Sequence, residues 1–314
     1  MVTPRPGRRP APRRAAAALL ALAAAVALTG CGAAGGERSG IVVTTNILGD
    51  LTRNVVGDQA DVTVLMRPNA DPHSFAISAR QAAELEDAAL VVYNGLGLEE
   101  GVLRNVEAAE AAGTPALAVG DGVDPISYTE GETAGQPDPH FWTDPVRAGE
   151  AVDLIADAVV EQVDGVDADR IRANARDYRE QVEELHAHAR ERFGAIPEDR
   201  RRLVTNHHVF GYLAQRYDFE VVGAVIPSGT TLASPSSADL DSLATAVEEA
   251  GVPAVFADSS QPDRLARVMA EEAGVDIEVV PLFSESLTGP DGGAATYAEM
   301  TRHNTDAIAD GLTG

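Results

Sequence analysis

The sequence predicts an α/β protein of two similar lobes, each built on a mainly parallel sheet, joined by one long α-helix. Three observations predict it. Short β-branched runs alternate with stretches of helical periodicity, the pattern of βαβ units. The alternation fills residues 41–165 and starts again in 195–314. Between them, residues 167–193 hold no Gly or Pro and carry apolar or small side chains in steps of three and four. Two such lobes facing each other across a connecting helix leave a cleft where the strand ends meet.

The division that follows is a leader at 1–30, a tether at 31–40, a first lobe at 41–165, a linking helix at 166–194 and a second lobe at 195–314. The leader carries Arg5, Arg8, Arg9, Arg13 and Arg14, then an unbroken apolar run from 15 to 28. That run is shorter than the roughly 20 residues of a comfortable membrane span and fits a signal peptide. It ends in Leu28-Thr29-Gly30-Cys31, which resembles a bacterial lipoprotein signal, with Cys31 lipidated as the new N-terminus. Cys31 is the only cysteine, so no intramolecular disulfide forms. Small and polar residues at 33–40 read as a flexible tether.

In the first lobe, strands are expected at 41–44, 62–65, 90–93 and 116–119. Asn46 is placed to cap a helix marked by Ile47, Leu51 and Val55. Helices follow at 81–87 and 98–112. The loop 67–75 contains Asp71-Pro72-His73. A second loop, 121–137, precedes Asp138-Pro139-His140-Phe141-Trp142. Asp144 before Pro145 is a strong helix start, a cap followed by a first-turn proline. Val152, Ile155, Val159 and Val163 mark that helix's apolar face.

The linking helix shows Ile171, Ala175, Tyr178, Val182, Leu185, Ala189 and Phe193 on one face. Its 27 residues, 167–193, would reach roughly 40 Å at 1.5 Å per residue. His186 and His188 lie two positions apart, point to different faces, and read as solvated surface residues. In the second lobe, strands are expected at 203–205, 221–225, 254–257 and 278–282. Helices are marked by Phe210, Leu213 and Tyr217; by Leu240, Leu243 and Val247; by Leu265, Val268 and Met269; and by Tyr297, Met300, Ile308 and Leu312. His303 sits in the last helix and reads as a surface residue.

The whole chain is 314 residues, 45% hydrophobic, with a formal net charge of −25, and every basic residue is arginine. That charge repels nucleic acid and anionic lipid faces and suits cation capture. Most of the charge is an ordinary solvated surface.

The chemistry concentrates in histidines. His140 lies 67 residues after His73, and His207 another 67 on. Each falls where a strand pattern meets a helix pattern, the place where open α/β sheets bind ligands. Imidazole suits zinc, copper, nickel and iron, and a carboxylate beside it admits manganese. A fourth ligand from the second lobe would clamp the ion, and two carboxylates closely follow predicted strands there, Asp258 and Glu285.

The motifs Asn69-Ala70-Asp71-Pro72-His73, Tyr93-Asn94-Gly95-Leu96-Gly97-Leu98-Glu99, Asp138-Pro139-His140-Phe141-Trp142 and His207-His208-Val209-Phe210-Gly211-Tyr212 occur together, with Ser286-Leu287 and Thr296-Tyr297 near the end. In combination, over about 41–312, the chain resembles the metal-binding receptor lipoproteins of ABC transporters for zinc and manganese. The resemblance implies a metal site in the interlobe cleft, with His73 and His140 as ligands from the first lobe and His207 as the third. Glu285 stands before Ser286-Leu287 where the family commonly has Asp and becomes the fourth ligand. Asp258 is the second choice, and His208 is a neighbour. The expected cargo is Zn2+, with Mn2+ the alternative. Three imidazoles favour zinc in the affinity order, and a third histidine replaces the Glu of many manganese receptors. Against that, the 121–137 loop lacks the long His-rich insert of many zinc-specific members.

The expected protein is therefore an extracytoplasmic, lipid-anchored, monomeric receptor that delivers a divalent metal to an ABC permease. It is not expected to be an enzyme or to bind nucleic acid. A receptor for a metal chelate such as a siderophore is an alternative, although only 4% of the chain is aromatic. A zinc hydrolase is a weaker one, since neither HExxH nor GxSxG occurs.

Overall fold

The computed structural model describes residues 1–3, 40–129, 133–260, 267 and 278–313. The leader from residue 4, Cys31, the tether up to residue 39 and the helix marked by Leu265, Val268 and Met269 lie outside the described residues. The described residues from Gly40 on belong to one compact unit.

Two four-stranded sheets carry the fold. The first contains β1 (Ile41–Val43), β2 (Val62–Val64), β3 (Leu90–Tyr93) and β4 (Ala116–Ala118) in the order β2-β1-β3-β4. The second contains β5 (Arg202–His207), β6 (Glu220–Ile226), β7 (Ala254–Asp258) and β8 (Glu278–Leu282) in the order β6-β5-β7-β8. All pairings are parallel. The two orders are the same, so the expectation of two similar parallel lobes holds. In each sheet the strand order reverses beside the first strand, opening a crevice at the carboxyl ends of β1 and β3 and of β5 and β7.

Both faces of each sheet are covered, as parallel sheets require. Alternation sends Val43 and Val92 to one core and Val42 and Val91 to another. In the second sheet Leu203 and Phe256 face one core, Val204 and Val255 the other.

The helices are α1 (Asn46–Val56), α2 (Ala79–Asp87), α3 (Leu103–Ala111), α4 (Pro145–Gln162), α5 (Ala168–Gly194), α6 (Gly211–Tyr217), α7 (Ser237–Ala250) and α8 (Tyr297–Thr313). Asp144 caps α4 as expected, accepting from Val146 N at 3.0 Å. Asp167 caps α5, accepting from Asp169 N and Arg170 N. All seven residues of the α5 stripe are buried. The five from Ile171 to Leu185 join the first core, and Ala189 and Phe193 join the second. α8 does the same, with Tyr297 and Met300 in the first core and Ile308 and Leu312 in the second. None of the described helices is long and apolar enough to cross a membrane.

Three local readings change. Thr45, not Asn46, caps α1, its hydroxyl accepting from Leu48 N at 3.4 Å. Asn46 is thereby released for another task, described below. The helix expected from 98 begins only at Leu103, because Gly95, Leu96 and Gly97 all adopt positive φ (77°, 55° and 84°) and turn the chain. The Glu99 carboxylate, buried inside that turn, accepts from Asn94 N, Gly95 N and the Thr44 hydroxyl. His186 and His188 are half-buried rather than solvated. His186 Nδ1 lies 3.0 Å from the Tyr217 hydroxyl and His188 Nε2 3.0 Å from Asp306 Oδ1, tying α5 to α6 and α8. His303 is exposed, with its ring 4.7 Å from that of Phe283.

Candidate metal centre

The repeated Asp-Pro-His triplet makes the same turn twice. Asp71 Oδ1 accepts from His73 N at 2.9 Å, and Asp138 Oδ1 accepts from His140 N at 2.9 Å. In each, the carboxylate ties down the amide two residues on while proline fixes the residue between. The first turn follows β2, and the second leads into the short helical turn Phe141–Thr143. His207 is the last residue of β5, held in register beside Ile226 of β6. Glu285 follows β8.

These four side chains converge. One ligand atom from each of His73, His140, His207 and Glu285 lies within 4.8 Å of every other, and all four residues are buried. Among the described residues no other such group occurs. His73 Nε2 is 3.3 Å from His140 Nε2 and 3.8 Å from Glu285 Oε2. Glu285 Oε1 is 3.5 Å from His140 Nε2 and 3.0 Å from His207 Nε2. The three imidazole centroids are 5.3 to 5.5 Å apart.

A tetrahedral ion with ligands at about 2.0–2.1 Å needs ligand atoms roughly 3.3–3.4 Å apart, so these separations suit a single metal ion. Both nitrogens of His207 and both oxygens of Glu285 are buried without a hydrogen-bond partner. Such groups cost roughly 1–3 kcal/mol each when left unsatisfied, and a cation at their centre would satisfy all those that face it.

Electrostatics point the same way. Burial holds His73 down to about 2, with His140 and His207 adding repulsion. Burial also holds His140 well below the ordinary histidine value, with His207 the next cause, and lowers His207. Burial pushes Glu285 well above the ordinary carboxyl value, and the charges of Asp258, Asp71 and Asp138 push it further. The imidazoles are thus neutral and ready to donate, while the carboxyl keeps a proton that a cation would displace.

Neighbouring groups aim these side chains. Asp138 Oδ1 lies 2.7 Å from His140 Nδ1, which places the ring proton there and leaves Nε2 bare toward the cluster. Asp71 uses its other oxygen to accept from the Thr231 hydroxyl at 2.6 Å. The Glu285 segment is pinned from two directions. On one, Asn46 Nδ2 donates to Ser286 Oγ at 2.8 Å, and Trp142 Nε1 donates to Ser284 O at 2.8 Å. On the other, Asp258 Oδ2 accepts from Ser284 N at 3.0 Å and Glu285 N at 3.1 Å.

Asp258 is accordingly outside the cluster. Its second oxygen accepts from Ser260 N at 2.8 Å, so one oxygen holds the loop that carries Glu285 and the other holds the turn after β7. His208 lies beside the cluster with its ring tilted 6.4 Å from that of Tyr128. α6, which begins four residues after His207, docks on the segment that carries His140. The Tyr212 hydroxyl donates to Asp138 O at 2.6 Å, and Arg216 Nη2 donates to Asp144 Oδ2 at 2.7 Å. Gly211 is needed here, since a Cβ would fall 2.7 Å from Asp138 Oδ2. Sequence reasoning found the four clustered residues and missed Asn46, Asp138 and Arg216. Only Asp138 carried a signal, its place in the repeated triplet.

Residues 41–311 match the sequence model of a family described as zinc-uptake complex component A, periplasmic. The iron-binding protein YfeA of Yersinia pestis is 30% identical over 272 residues, covering 87% of this chain and 86% of that protein. The manganese-binding lipoprotein MntA of Halalkalibacterium halodurans is 28% identical over 295 residues, covering 92% and 95%. Among solved structures, the periplasmic zinc-binding protein TroA from Treponema pallidum superposes with a TM-score of 0.80 at 26% identity, covering 87% of this chain and 99% of that one. The three names carry three different metals.

Proposed function

Since the chain belongs to the periplasmic zinc-uptake component A family, we propose that it is an extracytoplasmic receptor that captures a divalent metal ion and delivers it to an ABC permease. His73, His140, His207 and Glu285 are the ligands, and Zn2+ is the cargo ahead of Mn2+. The observation that carries this reading is the convergence of three neutral imidazoles and one carboxyl in a space with no solvent exposure to speak of. Borderline nitrogen ligands favour zinc over manganese in the affinity order. The names of relatives do not choose between them, so the preference rests on the donor set.

The reading assigns no catalytic step. Hydrolytic zinc sites keep a position open for water, and here four protein groups surround the centre. Cys31 carries the lipid that keeps the receptor at the outer face of the membrane. Docking on the permease separates His207 from the ligands of the first lobe and frees the ion.

The test is a competition titration by calorimetry of chelator-stripped protein with zinc and manganese. Zinc should bind at one per chain, much tighter than manganese, and His140→Ala should abolish it. Equal affinities would remove the zinc preference. Absence of binding by either ion would remove the receptor reading.

A further inference from the structure

We propose that Thr231 is a positioning residue for metal capture: from the second lobe, its hydroxyl holds the Asp71 carboxylate that ties down the His73 turn. This rests on the receptor reading above. The bond is short, Thr231 Oγ1 donating to Asp71 Oδ2 at 2.6 Å, the length of a hydroxyl on a charged acceptor. It joins residues 160 apart in sequence. Asp71 is buried and Thr231 is half-buried.

Asp71 divides its two oxygens between the lobes. Oδ1 accepts from His73 N at 2.9 Å and fixes the turn that presents the imidazole. Oδ2 takes the Thr231 hydroxyl. The two oxygens belong to one planar group, so a hold on Oδ2 sets how Oδ1 meets the amide. The matching carboxylate of the second triplet is anchored within its own lobe, since Asp138 Oδ1 lies on both the amide and the ring of His140.

The loop that carries Thr231, residues 227–236, is rooted beside His207. It leaves β6 after Ile226, which lies in register with His207 of β5, and Ser228 O accepts from His208 N at 3.0 Å. The loop also braces itself. Ser228 Oγ accepts from Thr230 N at 3.4 Å, and Thr230 Oγ1 accepts from Leu232 N at 3.2 Å. Each hydroxyl closes a turn on the amide two residues on. The loop's other described hydrogen bond to the first lobe is longer, from the Tyr128 hydroxyl to Gly229 O at 3.5 Å. Thr231 is thus the short link at the tip of a braced turn.

One segment therefore reaches from the strand that ends in His207 to the turn that carries His73. A shift of the second lobe that withdraws His207 also withdraws the Thr231 hydroxyl. The site then loses one ligand and the aim of another in a single motion.

The test is zinc affinity and chelator-driven zinc release in the purified protein. Thr231→Val keeps the shape and removes the donor, whereas Thr231→Ser keeps the donor. Thr231→Val should weaken zinc binding about tenfold, and Thr231→Ser should stay within about twofold of the unsubstituted protein. The loss should fall mainly on the dissociation rate, with one ion still bound per chain. In an Asp71→Ala background, Thr231→Val should change the affinity by less than about twofold, since the two residues act as one unit.

Unchanged affinity in Thr231→Val overturns the proposal. Equal losses in Thr231→Val and Thr231→Ser also overturn it, because packing and not the hydroxyl would then carry the effect. The full loss repeated on top of Asp71→Ala overturns it as well, since Thr231 would act without Asp71. No zinc binding by the unsubstituted protein overturns the receptor reading itself, and this inference with it.

Discussion

Asn46 grips the backbone of Leu287 from 241 residues away, accepting from its amide at 2.9 Å and donating to its carbonyl at 3.4 Å. Asn69 N donates to the same carbonyl at 2.9 Å. Leu287 itself lies in the first core. Glu285, two residues earlier, is therefore fixed against the body that carries His73 and His140, although its strand belongs to the second sheet.

Replacing Asn46 with Ala should weaken zinc binding about tenfold to a hundredfold, the range for groups that orient metal ligands. Stoichiometry should stay at one ion per chain. Calorimetry on the stripped variant measures this, and an unchanged Kd would mean that Trp142 and Asp258 suffice to hold Glu285.

Asp258→Asn separates holder from ligand. The variant keeps the side-chain shape and loses an acceptor for Ser284 N or Ser260 N. It should lower affinity about tenfold, whereas His140→Ala or Glu285→Ala should remove measurable binding. If Asp258→Asn abolished binding as fully as His140→Ala, Asp258 would have to be counted among the ligands.

Metal binding should release one proton from Glu285 wherever its carboxyl is still protonated in the empty site. Its carboxyl is held protonated well above the ordinary range by burial and by Asp258, Asp71 and Asp138, while the imidazoles are already neutral. The cation needs the ionised carboxylate. Affinity therefore falls as pH falls, by about tenfold per pH unit wherever the empty site holds that proton. Calorimetry in buffers of differing ionisation enthalpy counts the released proton. A count of zero would show that Glu285 is already ionised in the empty protein.

The carboxylate of Asp144 joins the two lobes and should matter more for stability than either of its arginines. It is fully buried and accepts from Val146 N, Arg147 and Arg216. Asp144→Ala takes the shared carboxylate from both arginines, leaving Arg147 with Asp124 alone, and uncaps α4, and should cost roughly 3 kcal/mol of unfolding free energy. Arg216 is one-third exposed, and Arg147 still pairs with Asp144 in its absence, so Arg216→Ala should cost about 1–2 kcal/mol. Denaturant melts of the two variants should rank in that order, and the reverse would mean that the arginines carry the contact.

Much of the fold was legible because its signals are local. Every strand sits within a residue or two of its short apolar run, and the α5 stripe is visible in the spacing of Ile171 through Phe193 alone. The histidines were legible because His73 and His140 share a triplet and His207 ends a strand. What could not be read depends on distant partners. Thr45 and Asn46 are both good caps by residue type, and only Leu287 decides which of them is free to act otherwise. His186 and His188 look solvated until Tyr217 and Asp306 are placed beside them. Asp258 and Glu285 follow strands alike, and the amides of Ser260, Ser284 and Glu285 decide between them by occupying Asp258. The late start of α3 turns on Leu96 at positive φ, a conformation a leucine does not announce.

A single rod between two bodies would let them swivel about its axis. Here α5 and α8 both run from one core to the other and are laced together, with His188 and Arg192 both on Asp306 at 3.0 and 2.8 Å. Paired beams cancel that swivel and leave flexing across the pair as the soft direction. A transporter waiting for a loaded receptor would then meet nearly the same outline whether or not cargo is aboard, and would have to sense the difference in the loops at the rim.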